Sequence, residues 1–176
     1  MVTLKTKNKI TSLLLLGGFF VNTYMQSISA FETKRVIKTA TNESVSINAP
    51  DANYTMFSEE FITGDGYKNF KKWLFKRGIL GWRHTFDCDN YAEAFRVYLQ
   101  ILHTKAMQDE FSTSTKQSVA FGVIWYERDK RGGHAINVFI TKNEEGLYVV
   151  QFIEPQNGEI VYLSQSEKES IFFILI

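Results

Sequence analysis

An α+β domain is the fold class this sequence predicts, and two observations carry the expectation. Apolar residues recur at helical spacing up to about residue 107. Beyond it, short runs rich in Val, Ile, Phe, Tyr and Trp alternate with turn signals. A first helix is read over 67–77, where Phe70, Trp73 and Leu74 share one face and Gly78 supplies a stop. The longest helix is expected from Cys88 to about Met107, with Tyr91, Ala92, Phe95, Tyr98, Leu99 and Leu102 on one face. Thr85 or Asp87 is placed to cap its start. A polar loop at 111–117 then leads to strands at 118–127, 133–141 and 148–154, with turns at 129–133 and 143–146. Residues 159–163 and 171–176 are further strand candidates. Residues 31–57 are rich in Thr, Ser and Asn, and they read as a polar lead-in with at most a short strand. The division expected is therefore a leader at 1–30, a lead-in at 31–57 and one domain over 58–176.

Length and composition agree with one globular unit: 176 residues, 44% hydrophobic and 22% charged. A single cysteine excludes an intramolecular disulfide framework and a cysteine-only zinc site. The formal charge is +1, and no basic face of the kind nucleic acid requires is evident, so no nucleic-acid partner is expected. Lys68, Lys71, Lys72, Lys76 and Arg77 form a basic helix face that reads as a solvated surface, with an acidic partner the less favoured alternative.

The first thirty residues read as an address. Lys5, Lys7 and Lys9 precede an apolar run at 10–21, and Ser27 and Ser29 stand at −3 and −1 of a cut before Ala30. A cut before Phe31 is the alternative. The run is about twelve residues, short of the ~20 that span a bilayer, so a cleaved leader is favoured over an anchor or a buried helix. The mature chain is then expected to be secreted or extracytoplasmic, with no membrane partner after cleavage.

Cys88, at the first turn of the long helix, sits where the helix dipole favours an anion. It can equally be a small core residue. His134 follows Gly132-Gly133 at a strand start, and Glu154 ends the neighbouring strand. A helix-start cysteine, a strand histidine and a carboxylate are the parts of a nucleophile–base–orienter site. His84 and His103 are weaker candidates and read as surface residues. The oxygen donors Asp87, Asp89, Gln156 and Asn157 flank the three, and calcium takes such oxygens. They read equally well as a helix cap and a tight turn.

Three blocks, Phe86-Asp-Cys-Asp-Asn-Tyr-Ala92, Gly133-His-Ala-Ile-Asn-Val138 and Phe152-Ile-Glu-Pro-Gln-Asn-Gly158, occur in an order that resembles the C-terminal domain of the Marasmius oreades agglutinin family. The resemblance spans roughly 60–163. It implies a papain-like or transglutaminase-like fold, with Cys88 matching the nucleophile, His134 the base and Glu154 the acid. Asp87, Asp89, Gln156 and Asn157 match the kind of ligands around the family's calcium. Asn90 stands where a second acid is expected, and the family's lectin domain has no counterpart here. The function expected on this basis is a secreted cysteine peptidase-like hydrolase with a protein or peptide substrate. The resemblance implies activation by calcium as well. A transglutaminase or deamidase on the same fold, and a non-catalytic calcium-binding module, are the alternatives.

Overall fold

The computed structural model describes residues 14–16, 19–21, 26–107, 117–128 and 132–176. The basic start of the expected leader and most of the 111–117 loop lie outside them. Within the leader's apolar run, Leu14–Leu16 (β1) pairs antiparallel with Phe19–Val21 (β2).

The lead-in is more structured than its polarity predicts. Gln26–Ser29 (β3) runs into a helix at Ala30–Ala40 (α1), whose first turn Ser29 caps by accepting from the Glu32 amide. Ser46–Asn48 (β4) and Asn53–Met56 (β5) follow. The expectation of at most a short strand is corrected here. Thr33, Val36 and Ile37 make a buried stripe at i, i+3 and i+4, while the exposed polar residues of α1 hide that period. A short helix, Glu59–Phe61 (α2), continues through an irregular turn at Gly64 into Tyr67–Phe75 (α3). The end of α3 is a Schellman turn, as Gly78 predicts. The Ile79 amide donates to the Leu74 carbonyl and the Gly78 amide to that of Phe75, with Gly78 at φ 77°. The long helix, Cys88–Met107 (α4), has the predicted bounds.

The later strands are Gln117–Val119 (β6), Phe121–Arg128 (β7), Gly132–Lys142 (β8), Tyr148–Ile153 (β9), Ile160–Val161 (β10) and Phe173–Leu175 (β11). A short helix, Gln165–Glu169 (α5), lies between the last two. The main sheet has the order β10-β9-β8-β7-β11-β4, antiparallel except for the β11–β4 pair, while β3, β5 and β6 form a smaller sheet. The chain is therefore α+β.

The main sheet is buried on both faces, which is why β8 reads as a near-continuous apolar run. Ile136, Val138 and Ile140 pack in a cluster with Val36, Ile37 and Ile124. Phe139 joins Phe70, Leu74, Tyr91, Phe95 and Leu99 from α3 and α4. Phe95 stacks on Phe70 with ring centroids 4.5 Å apart, and burying one such ring contributes about 3 kcal/mol. This second cluster presses the Cys88 end of α4 onto the sheet.

Candidate functional site

The carboxylate of Glu154 lies where β9 gives way to a tight turn. The turn closes on itself: Gly158 donates its amide to the Glu154 carbonyl at 2.8 Å, and Glu154 donates its amide to the Glu159 carbonyl at 2.9 Å. Gly158 has φ 81°, and a Cβ there would stand 2.5 Å from the Tyr67 ring, so only glycine fits. Inside the turn the Gln156 amide donates to Glu154 Oε1 at 3.2 Å. That leaves Oε2 for His134 Nε2 at 2.8 Å. The Tyr67 hydroxyl and Lys71 ammonium both donate to the Gln156 carbonyl, pinning the turn to α3. Burial, with Tyr91, Glu154 and Glu159 nearby, pushes the Tyr67 hydroxyl up to about 12, so it stays a neutral donor.

His134 is 7% exposed and its ring meets Tyr126 edge-on at 5.8 Å. With a carboxylate at Nε2, that nitrogen carries the proton and donates. Nδ1 is then an acceptor, and it is buried without a partner among the described residues. A buried polar atom left unpaired costs stability, which marks it as a point where a ligand's donor can be received.

Cys88 is half-buried and packs against Ala92, Val123 and Ala135, beside Trp125. Ala135 is the residue after His134, so Cys88 packs one strand position away from the histidine. Among the described residues no hydrogen bond joins Cys88 to His134. The structure thus brings His134 and Glu154 into direct contact, while the contacts of Cys88 are with Ala92, Val123 and Ala135.

Asn137 ties α4 to the sheet, and the sequence reading missed it. It is fully buried, and its Nδ2 donates to the carbonyls of Ala92 in α4 and Gly122 in β7 at 2.8 and 2.9 Å. The only sequence signal was a polar residue at an inward position of an apolar strand. Asn90 serves the helix start. Its Oδ1 accepts from the Asp87 amide at 3.3 Å, the return half of a capping box, and the Asp87 carbonyl receives the Tyr91 amide.

Of the oxygen donors, Asp87 and Asp89 come together. Asp89 beside it, by hydrogen bond and like charge, holds the Asp87 carboxyl above its usual range. Asn157 is engaged within the turn, accepting from the Glu159 amide and donating to Glu159 Oε2. No group of three His, Cys, Asp or Glu side chains able to hold a metal ion occurs among the described residues. The Asp87–Asp89 pair suits a hard cation; Asn157 is already engaged. His84 is exposed, as expected, and stacks edge-on with Trp82. His103 is not the surface residue expected. It is 3% exposed with Nε2 at 3.0 Å from Thr55 Oγ1, because it closes the same helix face as Leu99.

A family model described as "Agglutinin C-terminal" matches residues 66–160, a span that contains Cys88, His134 and Glu154. Comparison with curated proteins gives no match. Among solved structures, one titled "PSL1a-E64 complex" shares 19% identity at a TM-score of 0.62, covering 85% of this chain and 51% of that one. A structure of Polyporus squamosus lectin bound to a human-type influenza-binding epitope shares 21% at 0.62, covering 85% and 49%. The chain spans about half the length of these structures, and at such identity the likeness is one of fold. The expectation of a cysteine peptidase acting on protein or peptide is corrected by these findings. The matched family is named for an agglutinin, and the second neighbour is a lectin bound to a glycan epitope; neither names a peptidase. The matched span covers more than half of the sequence, and the chain belongs to the agglutinin C-terminal family.

Proposed function

We propose that this chain is a glycan-binding module, with its ligand held where β8 starts and β9 ends. The observation that carries the reading is the buried, unpartnered Nδ1 of His134, oriented by Glu154 through Nε2. A sugar hydroxyl is a fitting donor to it, and the partly buried Trp125 ring, packed against the same Ala92, Val123 and Ala135 cluster as Cys88, offers an apolar surface to a sugar ring. The glycan named in the lectin neighbour's title supports the ligand class. The papain-like layout enters only as an arrangement: a long helix with Cys88 at its first turn, laid on an antiparallel sheet. Within it His134 is the acceptor for a ligand proton, and Glu154 fixes its tautomer.

Calcium belongs to the reading at one place. Asp87 and Asp89 would contribute two of the six to eight oxygens it takes, relieving the repulsion between them. Secretion belongs to it as well. A cut before Ala30 would detach the strand Gln26–Ser29 from β5 and the Ser29 cap from α1, so the N-terminal residue of exported protein checks both.

A glycan array read with the purified full chain tests the function. Binding to a defined set of glycans, lost in His134→Ala at unchanged melting temperature, is the expected outcome. An array without signal, or binding indifferent to His134→Ala, overturns it. Calorimetric titration with calcium, compared between the natural chain and Asp89→Asn, tests the cation.

A further inference from the structure

From α3 to the start of α4 runs a stretch whose chemistry the glycan site does not use. Residues 67–86 carry six cations, Lys68, Lys71, Lys72, Lys76, Arg77 and Arg83, and no acid. Lys71 is half-buried against the Gln156 carbonyl, and Lys68 lies 4.0 Å from Asp65. Lys72, Lys76, Arg77 and Arg83 are exposed, and none forms a salt bridge among the described residues. Interleaved with them are three large apolar side chains: Phe75 is 69% exposed, Leu80 66% and Trp82 51%. Of the other exposed large hydrophobics, Phe31, Leu147, Tyr162 and Phe172 are separated in sequence, and Val97 and Ile101 on α4 lack such a run of cations.

The segment is built to hold this display. The Schellman turn at Gly78 reverses the chain, and Arg83 and Phe86 exchange backbone hydrogen bonds at 3.1 and 2.9 Å. Trp82 stacks edge-on with His84 at 4.9 Å, and the Arg77 guanidinium lies 3.9 Å over the Trp73 ring. Hydrogen bonds at both ends thus fix the tip that carries Leu80 and Trp82.

We propose that the α3–α4 segment docks on an anionic lipid bilayer, with Lys72, Lys76, Arg77 and Arg83 at the headgroups and Phe75, Leu80 and Trp82 entering the interface. The mixture of side chains decides the occupant. A soluble polyanion matches the charge and leaves Leu80 and Phe75 in water; a bilayer interface matches both, and tryptophan is the side chain that favours that depth. This departs from the expectation of no membrane partner, which treated the basic face as solvated surface. It does not depend on the glycan reading.

Co-sedimentation of the full chain with phosphatidylcholine vesicles, with and without about one-third phosphatidylserine, tests the proposal. Binding is expected only with phosphatidylserine, and release on raising salt from ~0.05 M to ~0.5 M. The double substitution Lys72→Glu/Lys76→Glu is expected to cut binding more than about tenfold, and Leu80→Ser/Trp82→Ser comparably. All four side chains are exposed, so matching thermal melts serve as the folding control. Absence of vesicle binding overturns the proposal, as does binding that either double variant leaves unchanged. Heparin binding that survives Leu80→Ser/Trp82→Ser, without vesicle binding, identifies a soluble polyanion and overturns it too.

Discussion

His134 and His103 are both buried on the packed faces of one domain, yet their surroundings give them opposite roles. His103 reaches from α4 to Thr55 of β5, whose hydroxyl also lies 3.3 Å from Gln117 Oε1. With the hydroxyl proton directed at Gln117, His103 Nε2 is the donor, and the contact ties a helix to two strands. Burial lowers the His103 pKa, so this ring stays neutral. His134 instead has a carboxylate on one nitrogen and nothing on the other. A ring nitrogen spent on a neighbouring element marks a joint; a buried nitrogen held open by a carboxylate on its partner marks a site. Burial alone does not distinguish them.

The comparison can be broken most strongly at the site's support. Asn137→Ala removes the bond that ties α4 to β8 and the one to Gly122 of β7, and is expected to cost about 2–4 kcal/mol, read as a lower denaturation midpoint. A loss under about 1 kcal/mol would show that the two carbonyls find other donors. Gly158→Ala comes next, at about 1–3 kcal/mol, because it strains a positive φ and meets the Tyr67 ring. Its accompanying loss of glycan binding would link the turn to the site; normal binding would uncouple them.

His103 supplies a sharper, smaller effect. Its folded pKa lies below the ordinary 6.5, so the unfolded chain takes up the proton first as pH falls. Stability is therefore full above about pH 6.5 and declines below it, through the folded value. His103→Gln keeps a donor without the titration, and its melting temperature is expected to fall less between pH 7 and 5 than that of the natural chain. Equal declines would place the acid sensitivity elsewhere. The smallest change in stability, under ~1 kcal/mol, is expected for Glu154→Gln, which keeps a partner for His134 but frees its tautomer. Here glycan binding is expected to weaken while the melt stays put, and the reverse pattern would make Glu154 a structural residue.

The α4 stripe Tyr91–Leu102, the Gly78 stop and the central strands were legible in the sequence because each is a local pattern of period or backbone preference. The pairing of His134 with Glu154 was legible too, since hairpin-joined strands make neighbours of their ends. α1 was missed because its buried stripe is short and consists largely of threonine and valine within polar sequence. His103 was misplaced because periodicity assigns a helix face but does not say how far the face is covered. The function expected from the triad had to be corrected, since residue types and order do not specify what is bound.

By itself, then, the sequence determined the α+β class, the bounds of α4 and the positions of Cys88, His134 and Glu154, all properties of neighbours along the chain. Tertiary structure alone decided that Asn137 joins helix to sheet, and that His103 is spent on Thr55 while His134 keeps Nδ1 open. It also decided that Phe75, Leu80 and Trp82 remain exposed among cations. Each depends on which distant segment arrives to satisfy a polar atom or cover an apolar one. Long-range packing settles that, and local pattern carries no record of it.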